Sequence, residues 1–263
     1  MNNIQLVVAT RNRHKVLEIQ KILDSRFRCV PLTDFSDPPE VEEDETTFSG
    51  NATHKSRKLA LWLARSEQAQ AVVLVGQSPV FVLADDSGLE VDVLDGAPGV
   101  RSARFAALDS RRTGNSPDAE NNAKLLRLLR EVPMARRTAR FRCALALTVV
   151  PVWMAGPPGS KNDLEFSAGL LGSESFGMST RGKNPAETGE METRIFEGAC
   201  EGHIVFEPRG EAGFGYDPLF VPVGYSLTFA ELGEEVKNGI SHRARALAAL
   251  RNYLGQSVRR GGV

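Results

Sequence analysis

Long apolar runs are absent from this sequence, and cysteine is scarce. No run approaches the roughly 18 apolar residues of a membrane-spanning helix, and the first residues, Met1 to Ile4, carry no basic leader. The three cysteines, Cys29, Cys143 and Cys200, are far apart and form no C-x-x-C pair, which argues against a disulfide framework and a zinc site. These absences predict a soluble protein of the reducing cytoplasm.

An excess of charge of one sign is also absent. The 263 residues include 32 Lys and Arg against 33 Asp and Glu, a formal net charge of -1. We therefore expect no global field that recruits nucleic acid or an anionic membrane. With 41% hydrophobic residues, the chain can bury a full core as one large domain or as two lobes that share a sheet.

One dense stretch, residues 80–104, stands out from the rest of the chain. Its first five residues, VFVLA, predict a strand buried on both faces, and DDSG at 85–88 predicts a tight turn at its end. Open α/β sheets place their chemistry at such strand ends. A buried carboxylate there needs a cation, a donor or a metal as compensation, but Asp, Ser and Gly are also ordinary turn residues. At this point both interpretations of Asp85 and Asp86 remain open.

A polar turn follows the first predicted strand. Residues 4–9 predict that strand, TRNRHK at 10–15 forms the turn, and helical spacing of apolar residues begins at Val16. The positive end of the helix dipole and the charge of Lys15 would together hold a phosphate. The alternative is a capped helix with solvated basic side chains, because the turn lacks the glycines of a Walker loop.

Acidic residues precede the second predicted helix, whose inner stripe includes Phe48, Ala52 and Leu59. Carboxylates ahead of a helix suit its dipole without further purpose. A metal site would require one of them to meet Asp86. Further along, residues 72–75 and 139–150 predict strands.

Residues 151–192 lack any sustained hydrophobic period and predict an insertion or long loop within a single domain spanning 1–263. A surface excursion of this kind adds little closure entropy and needs no catalytic purpose. The rival view is that its large apolar side chains pack on the body or across a dimer interface. Regular structure is predicted to resume with a strand at Thr193.

Two later segments carry candidate binding groups. The glycine-rich loop 210–218 presents Phe214 and Tyr216, whose rings can stack on a base, although such rings more often pack on a strand. Near the C-terminus, Ser241 is predicted to cap the last helix and to place His242 and Arg243 in its first turn. The helix dipole disfavours cations there, so a bound anion or ligand carbonyl would explain the choice.

Six motifs occur in the order expected for one protein family: TRNRHK at 10–15, ADDSGL at 84–89, GAPG at 96–99, SAR at 102–104, GFGYDP at 213–218 and SHR at 241–243. In this combination the chain resembles the inosine triphosphate pyrophosphatases, which hydrolyse non-standard purine nucleoside triphosphates. The likeness covers most of residues 4–254 apart from 151–192. It implies a two-lobed α/β fold with a long central mixed sheet flanked by helices, the nucleotide in the cleft between lobes, and a homodimer.

The resemblance also implies site residues. Asp86 would be the catalytic and metal-binding carboxylate, with Mg²⁺ as cofactor and Lys15 as a second catalytic group. Glu42 or Glu43 would complete the metal site, with Glu42 slightly preferred. The substrate contacts would be Thr10, Asn12, Lys15, Ser87, Phe214, Gly215, Tyr216, Asp217, Lys237, His242 and Arg243. One local departure is Gly50, where the family often has Glu, which would weaken Mg²⁺ affinity if that Glu contacts the metal site.

Elementary chemistry agrees with this assignment. Mg²⁺ prefers a few carboxylates plus substrate phosphates, and Asp86, or Asp85 beside it, could orient or deprotonate the attacking water. Donors on Arg243 and His242 would match the 6-keto oxygen of hypoxanthine or xanthine and oppose the 6-amino group of adenine. Two rival functions remain: a related pyrophosphatase for modified pyrimidine or methylated nucleotides, and a nucleotide sensor that does not hydrolyse.

Overall fold

A mixed six-stranded sheet with helices packed against it forms the body of the protein. The computed structural model describes residues 4–66, 69, 72–73, 80–109, 113–150 and 191–260. The strands in these ranges are β1 (Ile4–Val8), β2 (Phe27–Pro31), β3 (Val80–Val91), β4 (Thr138–Val149), β5 (Thr193–Ile204) and β6 (Phe220–Pro222). The main helices are α1 (Arg13–Ile22), α2 (Phe48–Arg65), α3 (Asp118–Leu128), α4 (Phe229–Ile240) and α5 (His242–Arg260). The predicted α/β fold with a long mixed sheet is confirmed.

The strand order in the sheet is β2-β1-β3-β4-β5-β6. Strand β1 pairs in parallel with both β2 and β3, whereas β3 through β6 pair antiparallel in succession. Strands β3, β4 and β5 each have 12 residues, so they extend well past the end of β1. The parallel and antiparallel parts of the sheet therefore meet at β3, the strand that carries the acidic pair.

The tight turn predicted at residues 85–88 is wrong, because β3 continues through them to Val91. Asp85 pairs with Leu145 of β4, and Asp86 pairs with Ala144. Two conditions keep polar residues in a central strand: their backbone groups join the ladder, and basic side chains from helices compensate both carboxylates. Gly88 also lies in this strand. Glycine is required at this position, because a Cβ there would lie 2.4 Å from Ser102 Oγ and 2.5 Å from a backbone oxygen.

Helices cover both faces of the sheet. Helix α2 buries its apolar stripe, including Leu59, against one face of β1, β3 and β4. Helices α1 and α5 pack on the opposite face, where Ile19 and Leu250 belong to one cluster with Leu83. A third cluster surrounds the far ends of the long strands and draws on α3, β6 and α4. The residues of β3 between these clusters are the acidic ones.

Several local predictions have a definite outcome. The cap predicted at Ser241, whose Oγ accepts from Ala244 N–H, is confirmed. Thr228 begins the preceding helix with a capping box. The strand predicted at 72–75 is wrong where it can be checked, since Val72 and Val73 are helical. Residues 151–190, nearly all of the predicted insertion, lie outside the described ranges. Among the described residues, no helix is long and apolar enough to span a membrane.

Candidate active site

A cavity of about 400 Å³ lies where the end of β1 and the middle of β3 face the start of α2. Its walls come from the turn at 10–15, the loop at 39–43, the acidic part of β3 and residues 100–104. Thr10, Asn12, Lys15, Asp86 and Ser87 all line it. The structure thus brings together the residues predicted to hold the phosphates and the metal.

The turn at the start of α1 is held by its own polar side chains. Asn12 is the N-cap, and its Oδ1 accepts from the N–H groups of His14 at 2.9 Å and Lys15 at 3.2 Å. Thr10 Oγ1 accepts from the Asn12 N–H at 3.1 Å. This cap fixes the backbone of the turn, whereas the long side chain of Lys15 extends into the cavity. Its Nζ lies 2.5 Å from Asp85 Oδ1.

The two adjacent acids point to opposite faces of the sheet, because successive side chains of a strand alternate. Asp85 lies on the face covered by α1 and α5 and contacts Lys15 and Arg243. Asp86 lies on the face covered by α2 and accepts from Asn51 Nδ2 at 3.0 Å. Both are nearly inaccessible, with exposed fractions of 1% and 5%. The two carboxylates therefore have different side-chain partners, although both line the same cavity.

Asp85 is a fully compensated anion. Arg243 Nε donates to its Oδ2 at 2.8 Å, and Ser87 Oγ and the Cys143 thiol also donate to it. Burial alone would raise the pKa of Asp85, but the charges of Arg243 and Lys15 hold it well below its ordinary value. A carboxylate stabilised in this way binds cations firmly and is a poor proton acceptor.

Asp86 has the opposite electrostatics. Burial raises the pKa of Asp86 above its ordinary value, and the attraction of Lys55 offsets only part of this effect. Lys55 Nζ lies 3.1 Å from Asp86 Oδ1 and 3.0 Å from Glu43 Oε1. Arg104 also contacts Glu43, with 3.6 Å between Nη1 and Oε2. A raised pKa beside an open cavity is the property expected of a group that takes a proton from water.

Asp86 and Glu43 also fit a Mg²⁺ ion. Mg²⁺ binds one or two carboxylates and completes its shell with water and substrate phosphates. These two carboxylates already share one cation, the Lys55 ammonium, and both line the cavity. Glu42 lines the same cavity, but Glu43 is the one in contact with Lys55. At Gly50 a Cβ would lie 2.9 Å from Thr47 Oγ1 and 3.0 Å from the Cβ of Glu45, so this chain has little room there for a larger residue.

The glycine-rich loop contributes a second group of polar contacts. Asp217 is buried, and its Oδ2 accepts from Lys237 Nζ at 2.6 Å and from the Phe214 N–H at 2.9 Å. The ring of Phe214 lies 4.6 Å from Lys237 Nζ. Tyr216 packs in the core instead, where its hydroxyl donates to Ser102 O at 2.9 Å. Phe214 is thus the aromatic residue of this loop that keeps access to solvent.

The two basic residues at the start of α5 differ in state. His242 stacks on Phe141 with 4.9 Å between ring centroids. Burial, together with the charges of Arg243 and Lys237, holds the pKa of His242 well below its ordinary value, so the ring is neutral at physiological pH. Its buried Nδ1 has no hydrogen-bond partner within the described residues. Nδ1 is therefore a buried polar atom at the start of α5.

Arg243 is 1% exposed and is committed to protein partners. It makes two hydrogen bonds with Asp85, one with Glu18 Oε2 at 2.6 Å and one with Ser87 Oγ at 2.9 Å. A guanidinium has five N–H groups, so within the described residues one is left for a ligand. The predicted base contact through Arg243 thus depends on a side chain that is already rigidly placed.

Two residues of the site were not predicted from the sequence, Lys55 and Glu18. Lys55 falls in the apolar stripe of α2, three residues after Ala52 and four before Leu59, and is 8% exposed. A charge within such a stripe is buried, and a buried charge needs a partner. A lysine within the apolar stripe was therefore the sequence pattern that could have identified Lys55 as a site residue. Glu18, next to the buried Ile19 on α1, gives a weaker form of it.

The family comparison agrees with this geometry. The model of the Ham1 family matches residues 6–157 and 183–253. The unmatched residues 158–182 lie inside the predicted insertion, whose bounds remain a prediction.

Curated relatives and solved structures match nearly the whole chain. A dITP/XTP pyrophosphatase of Geobacter sulfurreducens is 41% identical over 252 residues, which are 95% of this chain and 96% of the relative. That of Halalkalibacterium halodurans is 37% identical over 94% of this chain and 97% of its own. A HAM1 protein from Coxiella burnetii superposes with a TM-score of 0.65 at 32% identity, covering 96% of this chain and 99% of that one.

Proposed function

The chain belongs to the Ham1 family, and on this premise we propose that it hydrolyses the non-standard purine nucleotides ITP, dITP and XTP. The products are the nucleoside monophosphate and pyrophosphate, and the effect is to clear these nucleotides from the cytoplasmic pool. The observation that carries the proposal is the placement of Asp86. It is a buried carboxylate that shares the Lys55 ammonium with Glu43, in a polar cavity that Lys15 also lines.

The metal site in this proposal is Asp86 with Glu43. Both carboxylates already share the Lys55 ammonium, and this contact favours Glu43 over Glu42. Bound Mg²⁺ would neutralise charge on the phosphate oxygens and on the leaving pyrophosphate. Lys15 would contact the triphosphate from the opposite wall, where Asp85 holds its ammonium in place.

The chemical step is attack of water on the α-phosphorus. The water oxygen forms the new bond to phosphorus, and the bond from phosphorus to the bridging oxygen breaks, so pyrophosphate leaves with the bonding electrons. The proton lost by water passes to Asp86, a carboxylate that lines the cavity. Asp85 is the poorer candidate, because its ion pairs with Lys15 and Arg243 stabilise the charged form.

Base selection in this proposal takes place near Phe214. A 6-keto oxygen accepts hydrogen bonds, so it matches donors from Lys237 and from the remaining N–H of Arg243. The 6-amino group of adenine would place a donor against those donors. A buried donor left without a partner is a strong basis for rejection, about 10⁴-fold or more in favourable cases. The neutral ring of His242 adds one more polar atom, Nδ1, at the start of the same helix.

The direct test is pyrophosphate release from a panel of nucleoside triphosphates, with Mg²⁺ and with a chelator. We expect rapid release from ITP, dITP and XTP, little from ATP, and none without the metal. Preference for UTP or dTTP would favour the pyrimidine enzyme, and binding of ITP without hydrolysis would favour a sensor. Sedimentation of the same sample tests the proposed homodimer.

A matched pair of variants tests the metal assignment. Glu43→Gln and Glu42→Gln remove one charge each from neighbouring positions that line the same cavity. If Glu43 binds the metal, Glu43→Gln should raise the Mg²⁺ concentration required for half-maximal activity by about tenfold or more, whereas Glu42→Gln should leave it nearly unchanged. The reverse pattern would assign the site to Glu42.

A further inference from the structure

The side chain of His14 makes a contact across the site that the proposed reaction does not yet use. His14 is the second residue of α1, and its ring stacks on Phe214 with 5.4 Å between centroids and 23° between planes. The two residues come from the phosphate turn and from the glycine-rich loop, 200 positions apart in sequence. The stack therefore joins the phosphate-binding and base-binding parts of the site.

The backbone around Phe214 is anchored, but its ring is not fixed by the backbone alone. The Phe214 N–H donates to Asp217, and the Gly215 N–H donates to Asp118 Oδ2 at 2.6 Å. The flanking residues are Gly213 and Gly215, whose φ values of 81° and 64° favour glycine. Neither has a Cβ that could restrict the ring. Its direction is set by side-chain neighbours: His14 stacks on the ring, and the ammonium of Lys237 lies 4.6 Å from its centroid.

The position of His14 is itself well determined. Its N–H is capped by Asn12, in the same turn whose next residue is Lys15. A cavity of about 230 Å³ lies beside the stack and is lined by both rings together with Glu18 and Lys237. Lys21 and Glu234, which form an ion pair, also line this cavity. The stack is thus part of the cavity lining.

We propose that His14 is a positioning residue for base recognition: by stacking on Phe214 it fixes the orientation of the ring that meets the nucleobase. The inference rests on the proposed function, since it takes Phe214 as a base contact. Aromatic pairs gain a modest stabilisation beyond their buried area, which amounts to about two- to tenfold in an equilibrium constant. The effect acts on binding of the base and not on the chemical step, so it falls on KM.

The test compares His14→Ala, His14→Phe and the control Gln20→Ala, an exposed position further along the same helix. We expect His14→Ala to raise KM for ITP by about two- to tenfold with kcat unchanged. His14→Phe should restore KM because it restores a flat ring, and Gln20→Ala should leave it unchanged. Inhibition by tripolyphosphate, which has no base, should be equal in all four proteins.

Three results would overturn the inference. A lower KM in His14→Ala would mean that the His14 ring blocks binding of the base. An unchanged KM would mean that the stack does not contribute to base binding. If His14→Phe does not restore KM, ring stacking is not the cause of the effect. Binding of IMP and of ribose 5-phosphate, measured by calorimetry, needs no hydrolysis and separates this question from the proposed reaction. The inference requires His14→Ala to weaken only IMP.

Discussion

Replacing Lys55 with Met tests the electrostatics at the centre of the site. Met has a similar length and no charge, so the change removes the ammonium that lies 3.0 Å from Glu43 and 3.1 Å from Asp86. Only 9% of the Lys55 side chain is exposed, so water cannot replace it. The variant therefore leaves two neighbouring carboxylates on one wall of the cavity without their shared counter-ion.

The expected magnitude follows from the burial of this cluster. Removing one partner of a buried ion pair costs about 3 to 5 kcal/mol, because the remaining charge stays desolvated. Glu43 is partly accessible, so we take the lower end, about 3 kcal/mol. For a chain of this size each kcal/mol shifts Tm by about 2–4 °C, which gives a fall of about 6–12 °C for Lys55→Met.

Thermal denaturation with and without Mg²⁺ is the assay, and Lys58→Met is the matched control. Lys58 lies on the same helix but is exposed, and among the described residues its Nζ donates to the Glu40 backbone oxygen alone. Its replacement should change stability by less than about 0.5 kcal/mol. Mg²⁺ should raise Tm more in Lys55→Met than in wild type, since the ion can then occupy the place of the ammonium.

Two outcomes would refute this reasoning. An equal, small loss of Tm in Lys55→Met and Lys58→Met would mean that Lys55 does not compensate buried charge. An equal gain from Mg²⁺ in Lys55→Met and wild type would mean that the two carboxylates do not form a common cation site.

Three further predictions concern catalysis, selectivity and the insertion. Asp86→Asn keeps the shape and removes the charge, so pyrophosphate release should fall by about a hundredfold or more while the protein stays folded; near-normal release would exclude the assignment. Arg243→Lys keeps the charge but loses the planar N–H groups, so kcat/KM should fall more for ITP than for ATP, and an unchanged ratio would exclude a role in base selection. Replacing residues 156–190 by a short Gly/Ser linker should leave ITP hydrolysis and the oligomeric state measured by sedimentation unchanged if the segment is a passive excursion. Loss of either in a folded protein would contradict that view.

Much of the fold could be predicted from local sequence patterns. The turn after β1, the strand β4 and the cap at Ser241 depend on neighbouring residues, and the structure has them. The short strands Phe27–Pro31 and Phe220–Pro222 were missed, because their place in the sheet is decided by pairing with distant strands. The predicted turn at 85–88 failed for the same reason, since helices far away in sequence compensate its charges.

The site was predictable as a set of motifs but not as a geometry. Sequence order places Asp85 beside Asp86 but does not say which of the two side chains faces Lys15. Strand alternation instead directs Asp85 to Lys15 and Arg243, and Asp86 to Lys55. No sequence pattern reports which basic side chain reaches which face, because that depends on the packing of α1, α2 and α5 on the sheet.

Hydrolysis of ITP in ¹⁸O-labelled water is the most direct test of the proposed reaction. If water attacks the α-phosphorus beside Asp86, the label should appear in IMP, and the released pyrophosphate should carry none. Label in pyrophosphate would place the attack at the β-phosphorus, and release of labelled orthophosphate would place it at the γ-phosphorus. Either result would contradict the assignment of this site to pyrophosphate release by attack at the α-phosphorus.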